Sequence, residues 1–509
     1  MFNWYYEFWQ SLVILSTFFM QSIEQQSSQP LLESASDPLQ KWWVMLGIGI
    51  GMSLFSLDMH IVNIALPTLV RELHTNLSTV EWVSLSYLLM LTVLVLSVGQ
   101  LGDMWGKKWL YFGGLILFTF SSLLCGLAPT IEYLIAFRVI QGFSAAFICA
   151  LAPAIITEVF PKEQRGLALG ISTGIAWLGT ALGPTLGGLL IGFGSWRLIF
   201  LVNLPFCILA GLLVLFFVPD STKSEAEQSF DTLGTLLMIV TLTCFVLGIT
   251  KLQSEEFGDT NTLIFLVVAA LGLGSFLVSQ TRIAKPMLNL EMFRSLELSL
   301  GLLLSSIAYA FTIGLLFILP FFLELVKHYP EQQVGLMLAL LPVVSVLMAP
   351  VAGYLSDRIG ERIVSIIGLV LLVFGCLAIS TFDAELTVWG YILRVTPVAL
   401  GVGIFQPSNQ SAVMGSISPE RLGIGSGLLF LSRTLGQITG LSLIGILFSI
   451  LTYTHTQVKS PIDVTDAPVE ALVFAMQMSF RLIAPILIAA TIFAVVLWWL
   501  EGRKQRSYE

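Results

Sequence analysis

Fourteen apolar stretches of about 20 residues recur along this chain, and a helix of that length crosses about 30 Å of hydrocarbon. That recurrence predicts an all-α polytopic membrane protein with 14 transmembrane helices. Composition agrees, since 56% of residues are hydrophobic and 11% charged, against about a quarter charged in soluble domains. The net charge of −8 matters less than where the charges fall along the chain.

The stretches group as six, two and six. Residues 42–218 hold the first six-helix bundle. Residues 219–297 form a polar linker carrying two extra central helices. Residues 298–500 hold the second six-helix bundle, and residues 501–509 form a tail. Ahead of them, residues 1–41 read as an N-terminal extension: Glu7 interrupts its apolar part, and no Lys or Arg precedes it as a signal peptide requires.

With both termini placed in the cytoplasm, this count puts 15 of the 24 Lys and Arg residues on cytoplasmic connections, 5 on the opposite side and 4 within spans. The bias follows the positive-inside rule, which supports an even number of crossings.

A short charged motif occurs twice. Gly99–Lys108 reads GQLGDMWGKK and Gly353–Arg362 reads GYLSDRIGER, offset by 254 residues and each placed after the second span of a six. A repeated hairpin between membrane-length segments points to two related halves that pivot on one another, as in a transporter. Gly99, Asp103, Gly106 and Lys107 in the first copy, with Gly353, Asp357, Arg358 and Gly360 in the second, are the candidate conformational latch. Gly99 and Gly106 permit a tight turn, and Asp103 is a group that can choose between partners.

Several costly residues lie inside spans. Asp58 sits in the first; a carboxylate there costs roughly 2.5–3.5 kcal/mol on insertion scales, and usually faces a cavity and serves function. Low dielectric disfavours its charged form, which suits proton exchange. The competing reading is a buried cap or helix–helix hydrogen bond. His60, two residues on and turned to another face, is a wall, a packing residue or a second proton site. Arg138, in the fourth span, is always charged and needs a partner, for which Asp58, a backbone carbonyl or water would serve. The fifth span carries Gly179, Gly183, Pro184, Gly187 and Gly188. Glycines at about 1 kcal/mol each are tolerated where close packing requires them, and the proline removes a helix hydrogen bond. Phe55, Tyr87, Gln141 and Phe311 are candidate substrate-cavity residues, with ordinary packing as the alternative for the aromatics.

Together these motifs resemble the major facilitator superfamily and, within it, the fourteen-helix drug/proton antiporter family. The resemblance rests on the repeated loop motif, on Leu57-Asp58 through Asn63-Ile64-Ala65-Leu66-Pro67, and on Arg138 with Gln141-Gly142. It continues through the glycine–proline run of the fifth span and Ser195-Trp196-Arg197 to Asn203-x-Pro205. It covers Trp42 to Leu500 and implies the major facilitator fold, two six-helix bundles plus two extra central helices. It further implies an antiporter hinge at Gly179, Gly183, Pro184, Gly187 and Gly188, and a latch in which loop-motif Asp and Arg hold the cytoplasmic side shut. Two positions depart from the family pattern: Met104 stands where Arg is usual, and His60 where Thr is common. The first departure leads to the expectation that Asp357 and Arg358 carry more of the latch than the first copy does.

No G-x4-G-K-[ST] occurs, so ATP is not the expected fuel, and no catalytic or metal-ligand arrangement stands out. The expectation is a protein that is not an enzyme and uses no cofactor and no metal. Its expected partners are protons, a small-molecule substrate and the lipid bilayer, with no nucleic acid; an outer-membrane or periplasmic partner is not assigned. The resemblance implies a bacterial cytoplasmic (inner) membrane location and export of amphipathic or cationic small molecules in exchange for protons, with Asp58, Arg138 and His60 as coupling residues. The alternatives are a same-fold transporter of a metabolite, lipid or siderophore, and a non-transporting receptor or scaffold.

Overall fold

The computed structural model describes residues 39–220, 230–254, 260–283, 286–456 and 467–506. The expected extension therefore lies, up to residue 38, outside the described residues. Residues Trp43–Glu509 form one unit, and the description below concerns it.

Among the described residues the protein is all-helical, with fourteen helices long and apolar enough to cross a membrane. They are α1 (Gln40–Glu72), α2 (Thr79–Trp105), α3 (Lys107–Gly126), α4 (Ile131–Val159), α5 (Lys162–Gly192), α6 (Leu198–Phe217), α7 (Thr232–Lys251), α8 (Thr260–Arg282), α9 (Leu296–Val326), α10 (Gln333–Ile359), α11 (Glu361–Ile379), α12 (Val388–Gly415), α13 (Pro419–Thr454) and α14 (Val469–Val496). Helices α1–α6 and α9–α14 make two bundles. Large apolar side chains point outward on many helices, such as Leu271 of α8 and Leu347 of α10, both 67% exposed, as a surface facing lipid tails would have.

Local chemistry sets the helix ends. Asn76 caps the start of α2 by accepting from the Thr79 amide at 2.8 Å, and Thr387 caps α12 by accepting from Gly390 N–H at 3.1 Å. The two loop motifs turn on a single residue each. Gly106, between α2 and α3, has φ 98°, and Gly360, between α10 and α11, has φ 95°. A side chain is strained at such angles, so glycine is required at both.

The two bundles meet along two seams, α2 against α13 and α5 against α10. Helix α7 packs against both α2 and α13, and α8 packs against α7. Asp231 fastens this extra pair: its carboxylate accepts from the Gly234 amide at 2.7 Å, from Gln280 Nε2 at 2.6 Å and from the Met287 amide at 3.3 Å. Ser97 of α2 donates to Thr235 of α7 at 3.4 Å, tying the pair to the first bundle.

Candidate functional site

Three groups of residues stand out, one inside the first bundle, one at the membrane end that carries both loop motifs, and one between the bundles. In the first, Asp58 and Arg138 are 0% and 1% exposed, and Arg138 Nη1 pairs with Asp58 Oδ2 at 2.5 Å. A buried ion pair is tolerated only when its remaining lone pairs and protons are also satisfied. Here Arg138 Nε donates to the Val83 carbonyl at 2.9 Å and Nη1 to Gln141 Oε1 at 2.8 Å. Asp58 Oδ1 accepts from Gln141 Nε2 and Asn203 Nδ2, each at 3.1 Å. The guanidinium also lies over the Tyr87 ring at 4.1 Å, a cation–π contact. Side chains from α1, α2, α4 and α6 thus converge on one charge pair, and Ser122 of α3 braces Gln141 at 2.9 Å.

Asp58 is therefore sealed inside one bundle rather than facing an open cavity, because the pair and its partners fill the space around it. Tyr87 and Gln141 belong to the same cluster. Phe311 is likewise core: it is 1% exposed and stands edge-on to Phe480 at 6.2 Å. Phe55 does reach the bundle interface, edge-on to Phe430 of α13 at 5.9 Å. His60 donates through Nδ1–H to the Ser56 carbonyl, 2.7 Å away, and lies on the side of α1 that meets α5.

That contact is made by glycines. A Cβ at Gly183 would lie 2.8 Å from His60 Cβ, one at Gly187 3.0 Å from Ile61 Cγ1, and one at Gly179 3.0 Å from the Leu57 amide. Spacing of four residues puts all three on one face, so α5 adds no side chain of its own where it meets α1. Gly188 has nothing within 4 Å of its would-be Cβ, and Pro184 is exposed. The close packing thus belongs to three of the five residues of the expected hinge.

At the motif end the two halves are hydrogen-bonded by one arrangement used twice. Asp103 accepts from the Gly423 and Ile424 amides at 2.7 and 2.8 Å. Asp357 accepts from the Gly166 and Leu167 amides at the same two distances. Each carboxylate binds free N–H groups in the first turn of a helix in the other bundle, where the helix dipole also favours negative charge. Glycine makes the approach possible: a Cβ at Gly99 would strike the Gly423 carbonyl, and one at Gly353 the Gly166 carbonyl.

This corrects the expected role of Arg358. It is exposed and lies over the Tyr354 ring at 5.1 Å, and the partners of Asp357 are backbone amides. The copies do differ, but through Lys107. It is 3% exposed and pairs with Asp103 at 3.1 Å and with Glu158 of α4 at 2.6 Å. The matching position in the second copy is Glu361, which accepts from Ser411 Oγ at 3.0 Å.

A third cluster, between the bundles, was not anticipated. Trp177 Nε1 of α5 donates to Gln406 Oε1 of α12 at 3.0 Å, and Thr173 Oγ1 donates to Gln410 Oε1 at 3.4 Å. Arg433 Nη2 of α13 donates to the same Gln410 oxygen at 2.9 Å, and its guanidinium lies 5.4 Å from the centre of the Tyr309 ring. Asn203 and Glu158 were also missed as site residues. Asn203 stands in a quoted motif, and the polar run Gln406-Pro407-Ser408-Asn409-Gln410 inside an apolar span was a readable signal. Nothing in the sequence set Glu158 apart.

The sequence profile of the Major Facilitator Superfamily matches residues 48–331 and 298–508. Multidrug resistance protein Stp of Mycobacterium tuberculosis is 32% identical over 402 residues, 79% of this chain and 74% of that one. The riboflavin transporter RibZ of Clostridioides difficile is 29% identical over 419 residues, 82% of this chain and 90% of that protein. The tetracenomycin C resistance and export protein of Streptomyces glaucescens is 30% identical over 412 residues, 80% and 76% of the two chains. Among solved structures, the proton:xylose symporter XylE superposes with a TM-score of 0.62 at 14% identity, covering 90% of this chain and 96% of that one; at that identity the likeness concerns the fold alone.

Proposed function

The chain belongs to the major facilitator superfamily, and we propose that this membrane transporter exports an amphipathic small molecule in exchange for protons by alternating access. The observation that carries the reading is the sealed Asp58–Arg138 pair, placed on the helix that also forms the glycine contact with α5. Protonating Asp58 removes the charge that Arg138 faces and leaves the guanidinium to Gln141 and the Val83 carbonyl. Any resulting shift of α1 meets the α5 backbone directly, because α5 has only glycine at 179, 183 and 187. Helix α5 in turn presents the Gly166 and Leu167 amides to Asp357. One rigid helix thus joins the proton site to one of the two locks, a physical link of the kind coupling requires.

On this reading the motif end is cytoplasmic, both termini lie there, and the closed locks describe the state whose cytoplasmic side is shut. The substrate would bind where the bundles face each other, beside Phe55, Phe430, Trp177, Gln406 and Arg433. The expectation of a cationic cargo loses support there: among the described residues Arg433 has no ion-pair partner, and the carboxylate Asp58 is already paired within one bundle. The relative named for riboflavin favours a second reading, a metabolite as cargo on the same machinery.

The test uses purified protein in liposomes with a fluorescent dye as cargo. Asp58→Asn abolishes accumulation driven by a pH gradient yet leaves dye exchange between loaded and unloaded sides. Gradient-driven accumulation that survives in Asp58→Asn would refute the coupling role.

A further inference from the structure

The interface cluster is one-sided in its hydrogen bonding. Gln406 is 2% exposed, its Oε1 is taken by Trp177, and its buried Nε2 has no partner. The buried Nε of Arg433 also has none. Both unfilled groups are donors. The acceptors nearby are occupied, Gln410 Oε1 by Arg433 and Thr173 together. Leaving a buried donor unpaired is costly, so the molecule that completes this site must bring acceptor atoms. A guanidinium with no carboxylate beside it favours negative charge on them, in bidentate geometry where the ligand allows it. The rings of Tyr309, beside Arg433, and of Trp177, beside Gln406, suit a flat apolar body.

Resting on the transport reading above, we infer that the substrate is a planar, anionic amphiphile, carrying a carboxylate, phenolate or comparable oxygen-rich edge toward Arg433 and Gln406. The two donors sit on helices of the second bundle, α12 and α13, while Thr173 and Trp177 come from α5 of the first. The site is therefore shared across the seam, and a ligand that fills it bridges the halves that must move.

Two fluorescent probes of opposite charge test this by anisotropy with the purified full chain in detergent: fluorescein, anionic at pH 8, and ethidium, cationic. Fluorescein binds more tightly than ethidium. Arg433→Gln weakens fluorescein at least about tenfold, the scale of a lost charge-assisted hydrogen bond, and leaves ethidium unchanged or tighter. Arg433→Lys keeps the order of the two probes. Should Arg433→Gln not fold, Gln406→Met removes the other donor and lowers fluorescein affinity alone. Tighter ethidium than fluorescein in the unmodified protein, or equal loss of both probes in either variant, overturns the inference. Binding is measured without a gradient, so its result is independent of proton coupling. Gradient-driven ethidium transport without fluorescein binding would sink the substrate class and spare the antiport reading. Fluorescein binding without gradient-driven transport would do the reverse.

Discussion

Replacing Asp357 by Ala is the sharpest perturbation of the closed motif end. It removes two charge-assisted hydrogen bonds, to the Gly166 and Leu167 amides at 2.7 and 2.8 Å, and the favourable interaction with the α5 dipole. Hydrogen bonds to a charged group contribute about 1.5–3 kcal/mol each where buried, and the dipole about 0.3–1 kcal/mol. Asp357 is half-buried and the freed amides can reach water, so the net loss is put at roughly 3 kcal/mol, about a hundredfold in the closed-to-open ratio. A single reporter, Ala349→Cys, reads that ratio in a background lacking the five native cysteines. Ala349 is 0% exposed and faces Gly170 across the α5–α10 seam, so a maleimide reaches it only when the seam opens. Asp357→Ala raises the labelling rate by a factor approaching that ratio. Arg358→Ala, which loses an exposed cation–π contact of about 0.5–1 kcal/mol, changes it severalfold at most. Equal effects of the two substitutions would refute the view that backbone amides, and not an arginine, hold this lock.

Two further outcomes follow from the same geometry. Gly183→Ala places a methyl 2.8 Å from His60 Cβ, so turnover in liposomes falls severely, whereas Gly188→Ala, with open space around it, transports normally. Lys107→Met leaves Asp103 and Glu158 without their cation and destabilises the protein by about 3–5 kcal/mol, the scale for breaking a buried pair. Lys108→Met, whose partner Asp220 is 70% exposed at 3.5 Å, costs less than about 1 kcal/mol, and thermal unfolding in detergent separates the two.

The fold was legible because the bilayer imposes one rule on every span, so length and hydropathy suffice to count helices. The Asp58–Arg138 pair was legible for a related reason: a charge inside a span needs a partner, and the candidates are few. What the sequence hid were contacts made by backbone. Asp103 and Asp357 bind amides, which carry no residue signature, so the neighbouring Arg358 looked like the natural partner. Lys107 stood out as part of the repeated motif, but its bond to Glu158 depends on how α3 and α4 pack, which spacing along the chain does not encode. Faces are equally silent: nothing in the pattern distinguishes Phe311, buried against Phe480, from Phe55, which reaches the other bundle.

Helix α7 makes the two seams unequal with respect to the bilayer. It lies along α2 and α13 together, so the seam holding Asp103 is roofed over, and Asp103 is 3% exposed. Among the described residues, neither α7 nor α8 packs to a comparable extent against α5 or α10, which form the seam holding Asp357. Leu178 and Leu182 of α5 are 42% and 41% exposed, and Val343 and Val351 of α10 are 48% and 45% exposed. Should transport include sideways entry from the lipid, this asymmetry predicts that the cargo passes α5 and α10 rather than α2 and α13.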